Sequence, residues 1–166
     1  MLYLTGQFLG LVSYAIGVYC FFQKDDRQLK IFMFVLQFNN CLHFALLNAP
    51  TAVLSSLLSV VRTGLSLKTS SKIVAWLFIA LSAALGLWLA ERWLDLLPIV
   101  GSCIGTYALF CLTGIRMRLA FLVGACFWLA NNIVVGSIGG TLLELTLISV
   151  NSSTIFRMWR GGQRAQ

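Results

Sequence analysis

Seven polar or ionisable side chains lie inside long apolar stretches of this chain, where they could bind a small polar solute. An Asn amide both donates and accepts hydrogen bonds, which suits hydroxyl and amide groups, and a Trp ring can stack on a planar ligand or a sugar. Polar side chains in hydrocarbon are costly and usually face a bundle interior or a cavity. The sequence therefore predicts a substrate-binding site formed by Asn40, His43, Trp128, Asn131, Asn132, Glu144 and Asn151.

Three of the ionisable residues in these stretches allow more than one interpretation. Glu144 lies about six residues, or roughly 9 Å, from one end of its predicted helix; it could carry a proton, accept a hydrogen bond from a solute, or bond to a neighbouring hydroxyl. His43 is as compatible with a packed, hydrogen-bonded imidazole as with a binding group. For Arg62, near the other end of its helix, extension of the side chain to lipid phosphates is the favoured interpretation.

Catalytic and metal sites are not predicted. One intramembrane carboxylate and a single His provide no set of nucleophile, base and orienting group. The five cysteines lie in apolar stretches without C-x-x-C spacing, which is typical of small buried hydrophobic residues. We therefore expect no enzyme activity, no metal and no cofactor.

The elements that carry these side chains are apolar runs of membrane-spanning length. Hydrophobic residues make up 59% of the chain and charged residues only 10%, whereas soluble domains contain about 25% charged residues. Each run is close to the ~17–25 residues that a hydrocarbon core requires. The sequence predicts an all-α polytopic membrane protein with seven transmembrane helices, at about Leu2–Phe22, Leu29–Leu47, Thr51–Leu67, Ile73–Ala90, Leu96–Leu112, Leu119–Val135 and Ile138–Trp159.

Basic residues are concentrated on one side of these runs. Because Lys and Arg are enriched in cytoplasmic loops, this bias predicts a periplasmic N-terminus and a cytoplasmic C-terminus. The net charge of +7 is then explained by loops facing anionic lipid, and nucleic acid is not a predicted partner. Only Arg92 lies on the sparse side; the other side holds Lys24, Arg27, Lys30, Arg62, Lys68, Lys72, Arg116, Arg118, Arg157, Arg160 and Arg164.

An internal repeat with a spacing of 88 residues organises the chain. Gly17 then matches Gly105 and Tyr19 matches Tyr107, and His43 and Asn40 take the positions of Asn131 and Trp128. The repeat predicts one membrane domain, residues 1–166, in which a linker helix at 73–90 joins three-helix repeats at 2–67 and 96–159. Since each repeat has an odd number of helices, the two are parallel, and such repeats place a substrate site near the midplane between them.

Short segments along nearly the whole chain resemble the YgjV family of bacterial inner-membrane proteins. The most specific runs from Gly136 to Thr141 and is followed by Glu144. The resemblance implies a bacterial plasma-membrane location. The other segments are Phe21-Phe22, Lys24-Asp25-Asp26-Arg27, Arg62-Thr63, Leu96-Leu97-Pro98, Ala108-Leu109-Phe110, and Trp128 with Asn132.

The layout of three, one and three helices is also similar to that of the SWEET sugar carriers and, more loosely, the PnuC vitamin carriers. The Pro-Gln pair typical of the wider PQ-loop group is absent, because Pro98 is followed by Ile99. Sugar as the substrate is therefore an analogy from fold.

Two functions remain open from the sequence. The favoured one is a small-solute carrier, facilitative rather than proton-coupled. The alternative is a structural or assembly protein of the inner membrane, whose polar groups join helix to helix. The expected partners are the lipid bilayer and a small polar solute, and assembly into a homo-oligomer is left open. A cavity between the repeats would favour the carrier, and a solid core the alternative.

Overall fold

The structure is a computed structural model that describes residues 2–163, and all regular secondary structure in this part of the chain is helical. Each predicted run coincides with a helix. The helix predicted at Leu119–Val135 begins earlier, at Gly114, because its first turns, with Arg116 and Arg118, extend beyond the apolar run. Arg164, one of the basic residues counted above, lies outside the described residues. The helices are α1 (Leu2–Phe22), α2 (Asp26–Leu46), α3 (Pro50–Ser66), α4 (Lys72–Leu89), α5 (Leu97–Cys111), α6 (Gly114–Val134) and α7 (Ile138–Gln163), with one 3-10 turn (Trp93–Leu96) before α5.

Two tight turns of the same geometry follow α2 and α6. Asn48 and Gly136 adopt left-handed conformations, with φ of 55° and 68°. In each turn the next residue donates a backbone hydrogen bond five residues back, from Ala49 to Phe44 at 3.1 Å and from Ser137 to Asn132 at 2.8 Å. This pattern satisfies carbonyl groups that would be unpaired at a helix C-terminus. We call the end of the bundle with these turns the outer end, and the opposite end the inner end.

Six helices form a closed ring. Each contacts its two neighbours in the order α1, α2, α3, α5, α6 and α7, and α7 returns to α1. The remaining helix, α4, packs outside the ring against α5 and α3. Large side chains of α4, including Trp76, Leu77 and Trp88, are exposed. The helix α4 therefore lies at the periphery of the bundle.

The helices α1 and α7 cross at backbone contact. A Cβ atom placed on Gly139 would lie 2.3 Å from the carbonyl carbon of Gly10 and 2.6 Å from its oxygen. No side chain fits there, so glycine at position 139 permits the crossing. This contact holds the start of α7 against α1.

Within residues 2–163, five helical segments are long and apolar enough to cross a membrane by length and composition. The segments are Leu4–Phe22, Asp26–Leu46, Lys72–Leu89, Trp93–Cys111 and Gly114–Val134. The predicted spans at α3 and α7 are not among them. The buried face of α3 consists mainly of small hydroxyl residues with Arg62, and ring neighbours cover it on both sides. At 17 residues α3 is also one residue shorter than the shortest of the five segments, and its buried polar side chains lower its hydropathy.

Candidate functional site

A cavity lies inside the ring, with α2 and α6 forming opposite walls. Its volume is about 60 Å³, smaller than the ~150 Å³ cavity that holds a benzene ring in another protein. Four pairs of lining residues are each 88 positions apart, so equivalent positions of the two predicted repeats face the same space. These pairs are Met33 and Phe121, Leu36 and Gly124, Gln37 and Ala125, and Asn40 and Trp128. All six ring helices contribute, and the other lining residues are Phe21, Arg62, Gly101, Gly105, Leu122, Leu143, Glu144, Leu147 and Asn151.

The outer part of the cavity is bordered by Asn40 and Trp128. Ser13 Oγ donates a 2.5 Å hydrogen bond to Asn40 Oδ1, which fixes the amide against α1. The Trp128 indole stacks on Phe44, with ring centroids 5.7 Å apart. A Cβ atom on Gly101 would lie 2.7 Å from Trp128 Cδ1, so glycine lets the indole lie directly against α5. The α2–α6 stacking contact therefore bounds the cavity towards the outer end.

Arg62 is buried in the wall of the cavity. Its side chain is 3% exposed, and Nη1 donates hydrogen bonds to Ser102 O and to Thr106 Oγ1 on α5. Nε has no partner among the described residues. The guanidinium occupies space left by Gly105, where a Cβ atom would lie 3.1 Å from Nη2. The expectation that Arg62 extends to lipid phosphates was wrong, because the neighbouring glycine and carbonyl group accommodate the cation inside the ring.

Glu144 lies in the same cavity without a partner. It is 8% exposed and lines the cavity from α7. In residues 2–163 it makes no hydrogen bond, and the ion pairs there are Arg92–Asp95 and Arg118–Asp26. One cationic and one carboxyl side chain thus line one small cavity without contacting each other.

Two amide side chains that line the cavity carry enclosed oxygen atoms without a partner. Asn151 Nδ2 donates a 2.9 Å hydrogen bond to Arg118 O, whereas Asn151 Oδ1 has no partner in the described chain. Gln37 Oε1 is likewise unpaired there. These oxygen atoms can accept hydrogen bonds from a solute.

The other three predicted site residues do not line this cavity. His43 is 1% exposed; its Nδ1 lies 2.7 Å from Gly6 O and its Nε2 2.7 Å from Ser137 Oγ, so it joins α1, α2 and the start of α7. Asn132 packs against Gly140, whose Cβ atom would lie 2.3 Å from Asn132 Oδ1. Asn131 lines a separate pocket at the outer end. The structure therefore brings together Asn40, Trp128, Glu144 and Asn151 and separates them from His43, Asn131 and Asn132.

The helices α2 and α6 are also in contact at the inner end of the ring. The backbone N–H of Gly114 donates a 3.2 Å hydrogen bond to Asp26 Oδ2, and these two residues are 88 positions apart. Arg118, which is fully buried, lies 3.5 Å from Asp26 Oδ1. Two positions that the predicted repeat pairs with each other, Asp26 and Gly114, are thus in direct contact.

Two cations hold the inner end together in equivalent ways. Lys30 Nζ donates to Ser66 O at 3.3 Å and to Leu109 O at 3.0 Å, joining α3 to α5. Arg118, 88 positions later, donates from Nη2 to Lys24 O at 3.1 Å, and its Nε contacts the Met158 sulfur at 3.2 Å. Arg118 thereby joins the α1–α2 connection to α7. Each cation bridges one of the two boundaries between the predicted repeats.

Sequence reasoning missed three cavity residues that carry a recognisable signal. Gln37 lies one helical turn before Asn40 and shares its face. Gly101 and Gly105 have the four-residue spacing that allows close helix packing in membranes.

Among the described residues, no group of three His, Cys, Asp or Glu side chains could hold a metal ion.

Comparisons with known proteins assign the chain to a family. A family model described as Imp-YgjV, bacterial inner membrane protein, matches residues 4–161. The inner membrane protein YgjV of Escherichia coli (strain K12) is 35% identical over 162 residues, which cover 98% of this chain and 88% of that protein. No solved structure matches the chain.

Proposed function

Because the chain belongs to the Imp-YgjV family of bacterial inner membrane proteins, we propose that it carries a small solute across that membrane, with the solute bound in the cavity between α2 and α6. The observation that carries this proposal is the cavity itself. It is lined by equivalent positions of the two predicted repeats and by the unpaired polar groups of Arg62 and Glu144. A transporter with parallel repeats binds its substrate at such an interface.

The helix boundaries support a SWEET-like layout of two parallel three-helix units joined by α4. Asp26 and Gly114, which begin α2 and α6, are 88 positions apart, as are Pro50 and Ile138, which begin α3 and α7. The order of the helices around the ring supports the same layout, because exchanging the two units exchanges the α1–α7 neighbours with the α3–α5 neighbours. The test of this layout is superposition of 2–67 on 96–159 by a rotation about the membrane normal in an experimental structure.

The basic residues favour an inner end that faces the cytoplasm. Of those described, only Arg92 lies in the outer α4–α5 connection, whereas Lys24, Lys68 and Arg116 lie at or near inner connections. This orientation gives the predicted periplasmic N-terminus and cytoplasmic C-terminus. Lys30, Arg118 and Asp26 then form a cytoplasmic closure, which we call the inner gate.

Transport in this proposal proceeds by alternating access. The two units rock against each other about the cavity: separation at the inner gate exposes the solute to the cytoplasm, and separation at the Phe44–Trp128 contact exposes it to the periplasm. A facilitative mechanism is favoured over a proton-coupled one, because Glu144 has no basic partner within hydrogen-bonding distance among the described residues that could relay a proton.

The structural or assembly function also has a specific observation in its favour. His43 uses both ring nitrogens for contacts with other helices, and Asn39 Nδ2 donates to Leu9 O and Ser13 Oγ at 2.7 Å each. These polar groups join helices and need no solute. That function does not require the unpaired groups in the cavity.

Uptake into proteoliposomes tests the proposal. Vesicles containing the purified protein are exposed to a defined mixture of sugars, polyols, amino acids and nucleobases, and their contents are measured by mass spectrometry. We expect at least one solute to enter faster than into empty vesicles. Ala125→Phe should fill the cavity and abolish this uptake, whereas Cys126→Phe, on the exposed face of the same helix, should not. Uptake unaffected by Ala125→Phe would contradict the cavity as the site.

A further inference from the structure

We propose that the solute is a small zwitterion of the α-amino-acid type, with its carboxylate bound by Arg62 and its ammonium group bound by Glu144. The proposal rests on the proposed function and names the substrate class of the same cavity. The observation that carries it is the presence of one buried cation and one buried carboxyl group that line one cavity and do not pair with each other.

Arg62 is held in position to bind a carboxylate. Nη1 is occupied by Ser102 O and Thr106 Oγ1, which fix the guanidinium plane against α5. Nε is enclosed and has no partner, and the hydrogen bonds of the guanidinium to the described residues are those of Nη1. The Nε and Nη2 groups of a guanidinium form a planar pair of donors that matches the two oxygens of a carboxylate.

Glu144 supplies the complementary acceptor. Its carboxyl group is 8% exposed and faces the same cavity from α7. Asn151, seven residues later on the same helix, contributes the unpaired Oδ1, and Gln37 contributes an unpaired Oε1 from α2. An ammonium group has three donors and no acceptor, so a carboxylate with nearby amide oxygens suits it.

Charge balance favours a solute that carries both charges. A buried ion without a partner is strongly unfavourable. A zwitterion compensates Arg62 and Glu144 at the same time and leaves the loaded cavity neutral. An anion would compensate Arg62 alone, a cation would compensate Glu144 alone, and a polyol would compensate neither charge.

Cavity volume limits the solute to a few heavy atoms. A space of about 60 Å³ is well below the ~150 Å³ that accommodates benzene, so a sugar ring does not fit in this conformation. Leu143 and Leu147 present apolar surface between the polar groups, which suits a solute with a short hydrocarbon part. Glycine is the smallest probe with both charges.

Thermal unfolding of the purified protein in nanodiscs tests the proposal with four probes of similar size. Glycine carries both charges, acetate only the negative one, methylammonium only the positive one, and acetamide neither. We expect glycine to raise the unfolding temperature in a saturable manner, and the other three to leave it unchanged at the same concentrations. Equal stabilisation by acetamide would overturn the zwitterion proposal while leaving a solute cavity. No stabilisation by glycine would also overturn the zwitterion proposal. The carrier proposal would still be supported in that case if Ala125→Phe blocks the uptake of a solute into proteoliposomes.

Two variants, each with a matched control, test which residue binds each charged group of glycine. Glu144→Gln keeps the shape of the side chain, and we expect glycine affinity to fall about tenfold or more, the usual effect of losing a charged hydrogen bond. Glu91→Gln changes an exposed carboxylate and should have no effect. Arg62→Gln should weaken glycine binding similarly, with Arg27→Gln as its exposed control. If Glu144→Gln folds and binds glycine as tightly as the wild type, the assignment fails.

Discussion

Gly139→Ala is expected to destabilise the protein, because it places a methyl group where α1 and α7 touch. The new Cβ atom would lie 2.3 Å from Gly10 C and 2.7 Å from Leu11 N, whereas carbon atoms pack at about 3.5–4.0 Å. The helices must therefore separate by roughly 1 Å at this crossing. Forcing an extra carbon into a packed interface typically costs about 1–3 kcal/mol.

The matched control is Gly64→Ala on α3. There the new Cβ atom would lie 3.2 Å from Phe34 Cε2, at the edge of a ring that is 38% exposed and can turn aside. Alanine also favours a helix interior over glycine by up to about 1 kcal/mol. We expect Gly64→Ala to leave the free energy of unfolding unchanged or slightly increased.

The assay is equilibrium unfolding of the purified protein in mixed micelles, with denaturing detergent as the variable and helicity as the signal. Gly139→Ala should shift the midpoint to lower denaturant, and Gly64→Ala should not. If both variants unfold at the midpoint of the wild type, α1 and α7 do not cross at backbone contact, and the ring is not closed at this boundary. A loss of the same size in both would show that the effect is a general one of alanine for glycine.

Three further predictions follow from the same contacts. His43→Ala removes two interhelical hydrogen bonds, to Gly6 and Ser137, at about 0.6 kcal/mol each. Detergent unfolding should therefore show a loss of roughly 1 kcal/mol in the free energy of unfolding, while uptake per folded molecule stays unchanged. A selective loss of uptake would show that His43 belongs to the solute site. Arg118→Met should weaken the inner gate. In a protein without native cysteines, a membrane-impermeant maleimide applied from the cytoplasmic side should therefore label Ala125→Cys faster when Arg118→Met is also present. Equal labelling rates with and without Arg118→Met would contradict the gate. A reporter active only in the cytoplasm should work at the C-terminus and fail at the N-terminus, and the reverse pattern would contradict the proposed orientation.

The helices were predictable from local sequence. Apolar runs gave the seven helices, because a segment surrounded by hydrocarbon must satisfy its own backbone hydrogen bonds. The turn after α6 was indicated by Gly136, which adopts the left-handed conformation that glycine tolerates. The corresponding turn after α2 uses Asn48, a residue type that also tolerates this conformation. Asn48 and Gly136 are 88 positions apart in the chain.

The membership of the cavity was only partly predictable. Asn40 and His43 are three residues apart on one helix, yet Asn40 borders the cavity and His43 bonds to α1 and α7. In soluble proteins an apolar stripe marks the buried face of a helix. In a membrane, lipid and protein interior are both apolar, so hydropathy does not tell which side of a helix faces a neighbour.

The sequence by itself determined the membrane class, the helix positions and the supply of polar groups, since these depend on composition and on contacts within a few residues. Tertiary structure decided which polar groups are left unpaired. Arg62 became a cavity residue because Gly105 and the Ser102 carbonyl lie opposite it on α5, and Ser102 is 40 positions away in the chain. Glu144 remained unpaired because no basic side chain of a neighbouring helix lies within ion-pair distance among the described residues. Burial and pairing of charges depend on the relative placement of helices, and residues distant in sequence fix that placement.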